Sequence, residues 1–291
     1  MEAKTSASER PGWPGVLRIH PRTVFLAAVA WVALAWTVFI LADIAQVFSL
    51  PVGQSAYREL FNDRPVEWTQ WLLLPAAILL AGYTSACAVS HREPRIARFL
   101  LLFGAGMGLM LFEDTGDARH QLRRWAENFI DPEGLFGLRL STLIDIPYFA
   151  LIAALPVYAL VRYGPDIWRS VTARFYLCVG FGFYAMAGAG SGLSAVGDLY
   201  TRIGAGLDAL LFGGRFPVDD DYTQPVAHFM FVDSVIEESI ETIAAAAFLA
   251  TVLAVGRDLR HGTLAERWKA ARLDGTGRRA TTRQELDAAD G

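Results

Sequence analysis

Four acids fall within nine residues of this 291-residue chain: Asp233, Glu237, Glu238 and Glu241. At about 100° per helical residue, Asp233, Glu237 and Glu241 advance about 40° per step and share an arc of about 80°, while Glu238 points about 60° beyond Glu241. A stripe of carboxylates on one helix face either binds hard or borderline cations or shares protons among neighbours that cannot all ionise. A second set lies earlier. Glu113, Asp117, His120 and Arg124 fall within about 60° on one helix face, with Asp114 to one side. The Asp117-x-x-His120 step places an oxygen and a nitrogen ligand one turn apart, as in the Glu-x-x-His pairs of metal sites in helical bundles.

Single acids complete the list. Asp145 precedes Ile146-Pro147 and reads either as a cap on a helix interrupted by the proline or as a functional group. Asp198 follows Gly188-x-x-x-Gly192, a spacing that predicts a close helix crossing, with Ser191 and Ser194 adding hydroxyls nearby. His228, about 140° around from Asp233, reads as a satisfied interfacial histidine. Asp43, Glu67 and the run Asp219–Asp221 read as solvated.

These residues need a scaffold, and the composition supplies one. The chain is 53% hydrophobic and only 19% charged, and its apolar residues arrive in blocks of 17 to 30 residues separated by charge clusters. That pattern excludes a soluble globular enzyme, a disordered chain and a secreted disulfide scaffold. A bilayer core of about 30 Å needs about 20 apolar helical residues. Six segments qualify: Val24–Leu50, Trp68–Val89, Ile96–Phe112, Leu140–Val161, Val171–Val196 and Val226–Val255. The expected fold is an all-α integral membrane bundle of six helices. The third is expected to continue through Arg124 as an amphipathic extension. The first is far longer than the apolar core of a signal peptide and is expected to remain as a span.

Basic residues set the expected direction. Eighteen of the 26 lie in the N-terminal tail, the second and fourth loops and the segment after Val255, against eight in the other loops. Both termini are therefore expected in the cytoplasm. The expected layout is a cytoplasmic tail over 1–22, a membrane domain over 23–256 and a second tail over 257–291. In that tail Leu264–Leu273 reads as an amphipathic helix and Asp274–Gly291 as disordered. The longer loops, with turn signals at Asp131-Pro132-Glu133-Gly134 and Gly213-Gly214, then face outward. Arginine far outnumbers lysine, which occurs only at Lys4 and Lys269, and alanine is abundant; both suggest a bacterial inner-membrane protein. Cys87 and Cys178 read as small buried apolar residues rather than a disulfide.

Every embedded acid falls in the half of the bundle opposite the termini. Charges at membrane depth are expensive and are kept to pair, bind ions or relay protons. A set rich in carboxylates, with few imidazoles and no cysteine array, suits a divalent Zn, Mn, Fe, Mg or Ca ion. The expected ligands are Glu113, Asp117, His120, Asp233, Glu237 and Glu241, with Glu238, Asp145 and Asp198 as catalytic candidates. Arg119, Arg123 and Arg124 would receive an anionic headgroup, so that activated water hydrolyses a lipid or lipid-linked substrate from the outer leaflet. Five histidines, three of them on the cytoplasmic side, exclude the histidine-cluster chemistry of membrane desaturases. Two other classes fit the composition: a proton or cation transporter using the acids as a relay, and a non-catalytic subunit or assembly factor. Membrane lipids are the expected surroundings, and nothing marks a nucleic-acid partner.

Overall fold

The structure, a computed structural model, describes residues 19–48, 55–61, 64–130, 140–194, 198–218 and 222–261. The turn at Asp131–Gly134, the run Asp219–Asp221, the helix expected at Leu264–Leu273 and the tail Asp274–Gly291 lie outside the described residues.

Every described element is helical, and no strand occurs among the described residues. The elements are α1 (Pro21–Phe39), α2 (Ala56–Leu60), α3 (Pro65–Ser90), α4 (Pro94–Gly116), α5 (Ala118–Ala126), α6 (Leu140–Ile167), α7 (Val171–Ser194), α8 (Leu199–Phe212), α9 (Gln224–Met230) and α10 (Glu238–Arg260). Two π-helical segments are spliced in: Ile40–Ile44 extends α1, and Phe231–Glu237 joins α9 to α10. Five stretches are long and apolar enough to cross a membrane, those containing α1, α3, α4, α6 and the α9–α10 run. Proline opens α1, α3 and α4, where its missing N–H costs nothing and its fixed φ suits the first turn.

The α9–α10 run is the axis of the bundle. It packs on α1, α3 and α7, while α4 packs on α3 and α6. Small residues make that central position possible: Ala244–Ala247 are all solvent-free. Phe248 then fills the middle, its ring stacked on Tyr184 and edge-on to Phe103 and Phe181. The main core occupies this half of the bundle. A second, aromatic core of Phe39, Tyr57, Phe61, Phe212, Phe216 and Phe231 ties α1, α2 and α8 to the π segment at the other end.

Four local expectations are corrected. The extension of the third span is not continuous, because α4 stops at Asp117, which takes a left-handed conformation (φ 47°) before α5 begins. Asp is one of the few residues that tolerates that region. The segment read as loop between Val196 and Val226 contains α8, whose inward face repeats every fourth residue through Tyr200, Gly204, Asp208 and Phe212. Helix α6 runs through Pro147, Pro156 and Pro165 without interruption. Cys87 is buried, but Cys178 is exposed rather than buried, and neither forms a disulfide.

The α8–α9 contact depends on one glycine. A Cβ built on Gly204 would overlap the backbone carbonyl of His228, which no side-chain rotation can relieve. Below that crossing, buried Asp208 accepts from the Phe216 N–H at 2.9 Å and lies 3.0 Å from His228 Nε2, whose ring also meets Gln224 at 3.0 Å. Asp208→Ala is expected to destabilise the protein by about 1–3 kcal/mol, because two buried donors lose their acceptor. Thermal unfolding in detergent measures this, and an unchanged midpoint would refute it.

Candidate functional site

The acids meet at one end of the bundle. Helix α3 contributes Glu67 and Gln70 from its start, α4 contributes Glu113 and Asp114 from its end, and α6 contributes Asp145 and Phe149 from its start. The π segment and α10 supply Asp233, Glu237, Glu238 and Glu241. Alternation of chain direction brings these ends together. They wall a half-open cavity of about 530 Å³, lined also by Asp117, Arg119, His120, Arg123, Ser191 and Phe229. Nine carboxylates thus face two arginines and one histidine.

The π segment alters the stripe. Its i→i+5 bonding places more residues per turn than an α-helix, so the even 40° steps expected from Asp233 to Glu241 do not hold across it. Glu238, expected to point aside, lines the cavity with the others. π-helical insertions cost regular hydrogen bonding and concentrate at functional sites, and this one lies where the acids converge.

Each acid has a distinct setting. Glu237, 7% exposed, accepts from Ser191 Oγ and, at 3.0 Å, from the Tyr200 hydroxyl. Burial, then the charge of Glu237, pushes the Tyr200 phenol well up, so it remains a donor. Gln70 is fully buried, and its Nε2 reaches Asp114, Glu241 (3.1 Å) and Tyr184 (3.3 Å), joining α3, α4, α7 and α10. Asp145, 2% exposed, lies between Arg119 (4.0 Å) and Arg123 (3.6 Å), and Arg119 also sits 3.5 Å from Glu113. It therefore caps nothing. Glu238 keeps its buried Oε2 without a hydrogen bond.

Other expected site residues are held differently from the expectation or lie outside the cavity. The break at Asp117 removes the shared face proposed for Glu113, Asp117, His120 and Arg124. His120 Nδ1 instead bonds Asp117 directly, and Arg124, exposed, reaches the same carboxylate at 3.5 Å without lining the cavity. Asp198 is outside the cavity and exposed, paired with Arg202 at 2.9 Å, which holds its carboxyl below the usual range. Asp43 is not simply solvated, since it accepts from the N–H groups of Ala56 and Tyr57 and so caps α2. Glu67 is likewise a wall residue rather than a surface one. Gly188 and Gly192 make no close crossing, for a Cβ on either would meet nothing within 4 Å.

The chain matches no family model, no curated protein and no solved structure. Its chemistry must be read from the cavity. Among the described residues, no group of three or more His, Cys, Asp or Glu is already closed around a point where a metal ion would sit. The expected ligands Glu113, Asp117, His120, Asp233, Glu237 and Glu241 instead share the cavity wall, several of them held back by hydrogen bonds. What the wall offers is oxygen donors in excess, with imidazole at the rim, a donor set that suits hard and borderline cations.

Two outcomes separate wall residues from bystanders. Glu238→Gln is expected to raise the thermal midpoint of protein kept in chelator, because it replaces a carboxyl that burial and like neighbours disfavour with a neutral isostere. Asp198→Ala is expected to leave both the midpoint and any cation response unchanged. A Glu238→Gln protein less stable than wild type would show that this carboxylate is compensated after all.

Proposed function

We propose that the chain is a multi-pass bacterial inner-membrane protein whose acidic chamber binds a divalent cation. The observation that carries this reading is the gathering of nine carboxylates on one cavity wall with only Arg119, Arg123 and His120 as cationic or basic counterparts. Among the described residues no arginine pairs with Asp114, Asp233, Glu237, Glu238 or Glu241. A cation supplies the missing charge. In this reading α7 is the sixth span, both termini are cytoplasmic, as the arginine distribution favours, and the chamber faces the outer leaflet. A divalent ion held there would polarise water for hydrolysis of a lipid or lipid-linked substrate. Glu238 and Asp145 would be positioned for proton transfer.

Transport is the weaker reading. Beneath the chamber, α10 is apolar from Ile243 to Val255 except for Thr251, whose hydroxyl is spent on the Ala247 carbonyl. The rings of Phe103, Phe181 and Tyr184 pack against Phe248 and wall an apolar cavity rather than a polar path. The buried acid at the far end of α6, Asp166, is already paired with Arg95 and Arg169 and offers no free station to continue the path.

Titration of chelator-treated protein with Mn²⁺, followed by calorimetry and thermal unfolding, tests the proposal. Saturable binding with a raised midpoint is expected, weakened about 10- to 100-fold in Glu237→Gln, the range seen when the surroundings of a metal are disturbed. Absence of binding and of any midpoint shift with Mn²⁺, Zn²⁺, Mg²⁺ and Ca²⁺ would overturn it.

A further inference from the structure

Adjoining the acidic chamber is a second cavity of about 390 Å³ and opposite character, walled by Phe103, Met107, Pro156, Phe181, Tyr184 and Phe248. The two are contiguous, because Glu113, Asp114, Phe149, Ser191 and Glu241 line both. A chain carbon takes up about as much room as a water molecule, whose share of liquid volume is about 30 Å³, so the apolar cavity holds on the order of a dozen chain carbons.

The way in is on α6. Ala150, Ala153 and Val157 line the cavity and are themselves exposed. Exposed Leu151 and Val161 lie on the same helix, the most apolar part of which is the least buried of the five candidate spans. Helix α6 leans on α4 and α7 on α10, leaving a thinly packed seam between α6 and α7. Exposed apolar side chains on a spanning helix face hydrocarbon, so whatever enters through this seam comes from the bilayer.

The junction of the two cavities carries cationic groups. Arg119 lies over the Phe149 ring at 4.8 Å, and Phe149 lines both cavities. The ion pairs of Arg119 and Arg123 with Glu113 and Asp145 span 3.5 to 4.0 Å, longer than hydrogen bonds. The Nε of each arginine makes no hydrogen bond, and between them Asp145, 2% exposed, keeps Oδ1 without one as well. Two half-buried forks with unused donors fit the oxygens of a phosphate.

We infer that the site takes a phosphorylated single-chain lipid, its alkyl chain in the apolar cavity and its phosphate at Arg119 and Arg123. The inference rests on the cation reading in one respect: a bound cation offsets the carboxylates that would otherwise repel the phosphate. Entry is lateral, from the leaflet the chamber faces, and the polar head reaches the acidic wall only when the chain is seated.

Photolabelling tests this. Protein in nanodiscs with Mn²⁺ is exposed to dodecyl phosphate carrying a diazirine on its chain, and to the matching dodecanol, and the labelled peptides are mapped. Labels are expected on α6 and α7 beside the apolar cavity, with the phosphate preferred over the alcohol. Gly188→Leu fills the apolar cavity from a position where a Cβ meets nothing within 4 Å. It is expected to cut labelling about tenfold by displacing a few chain carbons while leaving Mn²⁺ binding intact. The double variant Arg119→Gln, Arg123→Gln is expected to erase the preference for phosphate but not the labelling. Labelling indifferent to Gly188→Leu, or equal for the two probes in wild type, would overturn the inference. Mn²⁺ binding without site-specific labelling would overturn it alone, whereas labelling with no ion bound would overturn the cation reading and the one clause built on it.

Discussion

Gln70→Leu will cost this protein about 3 kcal/mol, the upper range for stripping hydrogen bonds from buried polar groups and more than a surface change of the same kind. The side chain is fully buried, so the similarly sized leucine fills its space. What disappears is the amide that reaches Asp114, Glu241 and Tyr184 together. An amide nitrogen has only two hydrogens to give, so these three acceptors share donors that nothing nearby replaces. Asp114 and Glu241 then face each other across a gap lined with hydrocarbon. If charge crowding is the cause, adding Asp114→Asn to Gln70→Leu recovers part of the loss, and the two changes combine non-additively. Thermal or denaturant unfolding of the four proteins in detergent reads the cycle. A neutral Gln70→Leu, or strict additivity, would show that the amide is not what holds the acids apart.

The second large effect lies away from the chamber. Gly204→Ala should lower stability by about 1–3 kcal/mol, the range for forcing an extra carbon into a packed contact, because the new methyl overlaps the His228 carbonyl. Gly206, on the same helix, has nothing within 4 Å of its would-be Cβ. Gly206→Ala should therefore stabilise by up to about 1 kcal/mol through helix propensity alone. Opposite signs two residues apart are a demanding expectation, and matching signs would refute the crossing. Function is coupled to it, since α8 carries the Tyr200 hydroxyl that donates to Glu237. Unseating α8 should therefore weaken Mn²⁺ binding as well.

Hydropathy made most of the scaffold legible before any coordinates. Five of the six apolar blocks correspond to helices long and apolar enough to span, and the sixth is the glycine-diluted α7. Alternating chain direction then placed the acids at one end. Less legible was whatever depends on local backbone geometry. An unbroken α-helix was the natural reading of Phe112 to Arg124 and of Val226 to Val255, because neither the left-handed turn at Asp117 nor the π segment at Phe231–Glu237 has a distinctive sequence mark. Angular arithmetic therefore fails for Arg124, which does not line the cavity, and for Glu238, which does. Asp198 was misplaced because nearness in sequence to a span end says nothing about which way the next helix turns. Gln70 did leave a signal, a lone amide one helical turn from Glu67 within an apolar block, where an unsatisfied polar group would be costly. Glycine spacing misled in the opposite sense, for Gly188 and Gly192 border open space, whereas the close approaches are made by Gly204, by Gly180 against Phe248, by Gly190 against Tyr200 and by Gly106 against Pro156.

The apolar layer beneath the chamber also bears on electricity. A membrane potential falls where charge cannot move, so in the proposed membrane placement most of the drop lies across the apolar length of α10 from Ile243 to Val255 rather than across the half-open cavity. Carrying one charge through the whole field would be worth about 2.3 kcal/mol per 100 mV, but an ion entering the cavity and stopping at the acids crosses little of it. Occupancy of the chamber should follow the ion concentration on the side it opens to and be nearly blind to whether the membrane is energised.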